Sequence, residues 1–167
     1  MPWAVLTWLA AAIASLSCAV LVHELGHALA ARAAGRRVQQ LELGVGRPAW
    51  VVRRQQPRLV LRPWLLLGGA CICDGPVTAQ RWPLLLQLTG GVLANGATGA
   101  LLWWLATHTA ASCCGWLAWG QGVLALAQLL PLPIGRGSDG WQLIALLRHG
   151  PAAVQSAQPD AEVSAST

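Results

Sequence analysis

Ala19-Val20-Leu21-Val22-His23-Glu24-Leu25-Gly26-His27-Ala28-Leu29-Ala30 places three ionisable side chains inside an apolar, helix-length run from 4 to 34. In an α-helix, residues four apart stand one above the other, so His23 and His27 can offer two imidazole nitrogens to one metal ion. Glu24 stands about 100° round the helix from His23, near enough to serve a metal-bound water without being a ligand. HExxH also arises by chance in soluble sequences, but this copy lies at membrane depth. A charge at the centre of a membrane helix costs roughly 2.5–3.5 kcal/mol, so such a triplet is rarely carried without a use.

The composition supports that setting. Of 167 residues, 55% are hydrophobic and 10% charged, against about 25% charged in an ordinary globular domain. No charged residue falls in 4–22, and between Arg81 and Arg136 the only ionisable side chains are His108 and the thiols of Cys113 and Cys114. A span takes about 20 apolar residues, so three are expected, at 4–34, 83–106 and 111–130, with Thr107-His108-Thr109 at a turn. A cleavable signal peptide is the weaker reading of the N-terminus: Met1-Pro2-Trp3 lacks positive charge, and the run leads into HExxH instead of a cleavage site. Between the first two spans, 38–44, 50–54 and 58–62 read as short strands separated by turn residues. Gly68-Gly69 and Asp74-Gly75-Pro76 read as turns returning the chain to the bilayer. The expected fold is therefore membrane all-α, a three-transmembrane-helix core with a short membrane-associated β-hairpin or sheet at about 38–70 between helices 1 and 2. Residues 1–149 make one domain, and the small and polar residues of 150–167 predict a disordered cytoplasmic tail.

The net charge of +5 comes mainly from nine arginines between Arg32 and Arg81. Their position between two spans is a topology signal, not a nucleic-acid patch, and puts residues 35–82 in the cytoplasm. The N-terminus and His108 then face outward and the C-terminus inward. Five cysteines, with neither zinc-finger spacing nor a matched second pair, read as small apolar fillers. Trp3, Trp82, Trp103 and Trp104 fall near span ends, as interface anchors do.

A catalytic zinc generally takes three protein ligands, and Asp139, Asp74, Glu42, His108 and His149 are the candidates for the third. The first and third spans both run inward, so HExxH and Asp139 reach the same depth. His108 falls about 30 Å away, while Asp74 and Glu42 can approach only if the cytoplasmic segment folds inward. The bland reading of Asp139 is a turn residue in Ser138-Asp139-Gly140. The run Gly90-Gly91-Val92-Leu93-Ala94-Asn95-Gly96 suits close helix packing, with Asn95 as polar glue.

With these pieces in order, the chain resembles the site-2 protease family of intramembrane zinc metalloproteases. The resemblance rests on His23-Glu24-Leu25-Gly26-His27, Leu67-Gly68-Gly69, Gly91-Val92-Leu93-Ala94-Asn95, Pro131-Leu132-Pro133 and Ser138-Asp139-Gly140, and covers 15–147. It implies zinc on His23, His27 and Asp139, Glu24 as the general base, and Asn95 facing the active site or substrate. It also implies a multi-pass protein of a bacterial cell membrane that cuts membrane-protein or peptide substrates. Gln128 stands where the family usually has Asn, Ile134 to Ser138 lengthens the approach to Asp-Gly, and no stretch suffices for a PDZ insertion. The chain thus looks like a minimal core. A helical substrate would have to unwind, by strand pairing with the segment around 41–61. The alternative is a catalytically inactive membrane scaffold that keeps the metal site, which an intact Glu24 argues against. A metal transporter would want a fuller polar path than Gln87, Asn95, Gln121 and Gln128 supply.

Overall fold

The computed structural model describes residues 2–52, 57–74, 81–109, 112–132 and 138–155. Its first element, α1 (Pro2–Ala33), carries no acidic residue in its first turn and Arg32 in its last. It stops where the sequence says it should. Gly35 takes a left-handed φ of 76°, and the Gly35 and Arg36 amides bond back to the Arg32 and Ala31 carbonyls, each at 2.9 Å. This is a Schellman closure, which needs a residue without a Cβ penalty at that position.

The chain then forms a four-stranded sheet of β1 (Arg37–Val45), β2 (Trp50–Val52), β3 (Arg58–Leu61) and β4 (Trp64–Asp74), in the order β2-β3-β1-β4. β1 pairs parallel with β3 and antiparallel with β4, and β2 closes a hairpin on β3. One expectation needs correction. Gly68-Gly69 is not a turn: it lies within β4, which extends the sheet from the expected 70 to Asp74. β1 and β3 are interior strands, so within 41–61 the edge open to an incoming strand is β2, and β4 forms the other edge of the sheet. The expected turn at 75–76 lies outside the described residues.

Three further helices follow, α2 (Arg81–His108), α3 (Ser112–Leu129) and α4 (Asp139–His149), and then a short α5 (Pro151–Gln155). Among the described residues, 3–33 and 81–108 are long and apolar enough to cross a membrane, with mean hydropathies of 2.3 and 1.2. Trp3, Leu6, Leu9, Leu93, Leu101 and Trp103 stand exposed on them, as lipid-facing side chains do. The described chain is mostly helical, with one small sheet. α3 occupies the stretch expected as the third span. Of the stretch expected as a tail, 150–155 is ordered instead, with Val154 of α5 buried against Leu84 and Leu88 of α2 and Leu146 of α4, while 156–167 lies outside the described residues.

What positions the site is the approach of α1 to α2. A Cβ added at Gly26 would sit 2.5 Å from the Gly90 carbonyl oxygen, and one at Gly90 would sit 2.5 Å from Ala30 Cβ. The two backbones therefore touch directly, the packing mode that small residues permit where lipid offers no hydrophobic drive to association. Ser15 of α1 donates to the Trp116 carbonyl of α3 at 2.7 Å, fixing the third helix on the same bundle. The sheet packs on α1 through Ala28 and Ala31 against Val38, Leu41, Cys71 and Cys73.

Gly90→Val should force this seam apart. Overpacking a close contact costs about 1–3 kcal/mol, so thermal unfolding in detergent should shift downward. A melting curve superimposable on the unmodified chain would contradict the seam.

Candidate metal centre

His23, Glu24 and His27 lie on the buried face of α1, and α4 brings Asp139 to them from the far end of the chain. Asp139 Oδ2 is 3.0 Å from His23 Nε2 and 3.3 Å from His27 Nε2, and the two Nε2 atoms are 3.1 Å apart. Four-coordinate ligands at 2.0–2.1 Å from zinc lie about 3.3 Å from one another. The triangle is thus close to the spacing of three ligands on one ion. Among the described residues this is the group of His, Cys, Asp and Glu side chains that could hold a metal, its ligand atoms all within 4.8 Å. Buried Asp139 Oδ2 makes no hydrogen bond, which a metal would remedy. Two imidazoles and a carboxylate are a donor set that catalytic zinc accepts. The residues fit zinc.

Neighbouring backbone sets the orientation of these ligands. His27 Nδ1 lies 2.7 Å from the Gln87 carbonyl of α2. A carbonyl only accepts, so Nδ1 carries the proton and the Nε2 lone pair faces the site. Behind the pair, a Cβ at Gly91 would fall 2.6 Å from His27 Nε2 and 2.7 Å from His23 Cε1. Only glycine lets α2 lie so near. The Gln87 side chain meanwhile accepts from Arg36 beyond the end of α1.

Asp139 is placed by its neighbour. Ser138 caps α4, accepting from the Trp141 amide at 3.3 Å and the Leu132 amide at 3.1 Å, while its hydroxyl donates to the Leu130 carbonyl at the end of α3. Gly140 packs directly on the Leu129 carbonyl. Asp139 therefore opens a capped helix instead of sitting in a bare turn.

The other candidates are elsewhere. Glu42 is buried in an ion pair with Arg62 at 3.2 Å and accepts from Gln40 at 2.5 Å. His108 ends α2, exposed against the Trp104 carbonyl, and His149 ends α4. Asp74 closes β4 opposite Arg37. Asn95 comes up to the site fully buried, its Nδ2 3.5 Å from His23 Nδ1 and its Oδ1 without a hydrogen-bond partner. The break expected at 131–139 lies partly outside the described residues, at 133–137.

Three contacts were not expected from sequence. The Gln87 carbonyl is backbone and leaves no trace in residue type. Gly91 was read for packing and for the family resemblance, with no contact to the ligands expected of it. Gly69 of β4 faces Glu24, where a Cβ would fall 2.6 Å from Cγ and 2.7 Å from Oε1. This contact makes β4 one wall of the site. A cleft of about 740 Å³ opens beside it, between Leu67, Gly69 and Ala70 of β4 and Ala127, Gln128 and Ser138 around the α3–α4 junction.

Comparison with known proteins points the same way. The family model described as Peptidase family M50 matches residues 11–113, a stretch that takes in HExxH and Asn95 and ends before Asp139. A curated protein of Nostoc sp. strain PCC 7120, provisionally named as a zinc metalloprotease, is 41% identical over 98 residues, covering 51% of this chain and 27% of its own. The chain thus spans about a quarter of that relative's length.

Gly91→Ala should weaken zinc binding by about 10–100-fold, the usual effect of disturbing the groups around metal ligands. Gly96→Ala, whose Cβ meets nothing within 4 Å, should bind zinc as the parent does. Chelator competition measures both, and equal affinities for the two variants would contradict the packing of Gly91 on the ligands.

Proposed function

The chain belongs to peptidase family M50, the site-2 protease family, and from that premise we propose that it is a zinc-dependent endopeptidase cutting transmembrane or membrane-proximal segments. The observation that carries this reading is the convergence of His23, His27 and Asp139 beside Glu24 on a membrane-length helix. His23, His27 and Asp139 hold the zinc. Bound there, zinc supplies Lewis acidity, which polarises a carbonyl and lowers the pKa of water toward about 7.

Glu24 takes the proton of the attacking water and later delivers it to the leaving amine. Gly69 packs on its side chain, so β4 holds the carboxylate from the side of the sheet. Asn95 borders His23, and its buried Oδ1, without a hydrogen-bond partner, is the acceptor left for a substrate amide drawn in against the metal ligands. A helical substrate hides its carbonyls in internal hydrogen bonds. It must therefore become extended, and we assign its docking to the outer edge of β4, since β4 ends the sheet and lines the cleft.

In this reading α3 is the third span, residues 1–149 form one intramembrane domain, and the arginine-rich segment sets the topology. The N-terminus lies outside, while 35–82 and the C-terminus are cytoplasmic. Cleavage then falls near the cytoplasmic face. The partners are the lipid bilayer and a membrane-protein or peptide substrate.

Glu24→Gln should keep its zinc and lose about 10²–10⁴-fold in cleavage rate, the range for removal of a general base. Metal analysis and turnover of a model transmembrane substrate, made on one detergent preparation, check both halves. A variant as active as the parent would reject Glu24 as the base, and stoichiometric zinc without Glu24-dependent cleavage would favour a scaffold.

A further inference from the structure

The metal centre leaves a pair of reactive side chains close beside it unused. Gly69, Cys71 and Cys73 alternate along β4 and so share one face of the strand, the face that meets Glu24 at Gly69 and the Ala28 and Ala31 stripe of α1 further along. The two sulfurs are 3.8 Å apart and share a hydrogen bond. A strand rises 3.2–3.4 Å per residue, which puts alternate Cα atoms about 6.4–6.8 Å apart, at the upper edge of the range a disulfide bridges. A bulge lies opposite this place, where β1 slips register between Val38, paired with Cys73, and Gln40, paired with Ile72. The extra residue lies in β1, and a bulge disrupts the ladder locally, so β4 is held less tightly by its neighbour at Cys73 than in a regular pair.

The surroundings favour thiol chemistry. The bond from Cys71 holds the Cys73 thiol below its ordinary value, with burial opposing and the charges of Arg36 and His27 assisting; the same pairing and burial push Cys71 up. Both residues are partly exposed. A thiolate-forming cysteine in an electropositive, accessible setting beside a second thiol is the arrangement of redox-responsive pairs.

We propose that Cys71 and Cys73 form a reversible dithiol–disulfide pair, oxidised by peroxide and reduced by small thiols, and that closing it draws β4 away from its contact with Glu24. Cys73 Sγ, as thiolate, attacks one peroxide oxygen and breaks the O–O bond, releasing hydroxide and leaving a sulfenic acid. The Cys71 sulfur then attacks Cys73, forming the S–S bond and displacing hydroxide. The two hydroxides take up the two thiol protons. Two thiols thus lose two electrons and two protons, and one peroxide becomes two waters. In the return step two molecules of an external thiol are oxidised to their own disulfide. Bond formation requires the sulfurs to close from 3.8 Å to about 2.05 Å, only two residues from Gly69. On the cytoplasmic side, ambient thiols keep the pair reduced until an oxidant arrives. The bond itself is independent of the protease reading; its effect on cleavage rests on that reading.

The test treats the reduced full-length chain with graded hydrogen peroxide, blocks free thiols, and maps the tryptic peptide 59–81, whose only cysteines are Cys71 and Cys73. The proposal expects this peptide to lose two hydrogens, to regain them with dithiothreitol, and to do neither in Cys73→Ser. It expects zinc-loaded wild type to lose at least ten-fold in cleavage rate over the same peroxide range and Cys73→Ser to keep its rate. A peptide with two blockable thiols at peroxide levels that oxidise Cys113 and Cys114 would overturn the disulfide. A disulfide with unchanged cleavage would overturn the coupling to Glu24. Should the reduced protein cleave nothing, the protease reading fails while the peptide mass still decides the bond.

Discussion

The structure depends on the direct backbone contact between α1 and α2. Imidazoles and carboxylates inside an apolar helix are expensive to keep unless every polar atom is met. Gly26, Gly90 and Gly91 remove the Cβ atoms that would hold the helices apart, and the Gln87 carbonyl then reaches His27. The same contact brings the Asn95 amide up to His23. Packing and chemistry share one surface, so no side chain on this face of α2 could grow without moving a ligand.

The second constraint is the anion that closes the triangle. Asp139 sits on a different helix from the histidines and more than 110 positions away in the chain, so its position must be fixed from its own side. Ser138 and Gly140 do this by tying the start of α4 to the last turn of α3. The third helix thereby contributes geometry without contributing a ligand. β4 supplies the remaining wall: a glycine inside a strand normally weakens it, but at Gly69 the missing side chain leaves the space that Glu24 fills.

Much of this was legible in the sequence for identifiable reasons. Four-residue spacing of histidines, a long uncharged run and a glycine stop are local signals, and α1 follows them from Pro2 to Gly35. The expectation that Asp139 reaches the depth of HExxH came from counting membrane crossings, and the structure brings those three side chains together. Strand order was not legible. A parallel β1–β3 pair beside an antiparallel β4 depends on which edges meet in space, and Gly68-Gly69 carries the same residue signal in a turn as in a strand against a helix. The buried α5 escaped for a similar reason, since a single valine gives no periodicity.

The most direct test of the account is the zinc X-ray absorption spectrum of the metal-loaded, full-length protein. A first shell of nitrogen and oxygen at about 2.0–2.1 Å, with imidazole scattering from two histidines, is the result predicted for His23, His27 and Asp139. A sulfur shell at about 2.3 Å would place the ion on cysteines and contradict the site.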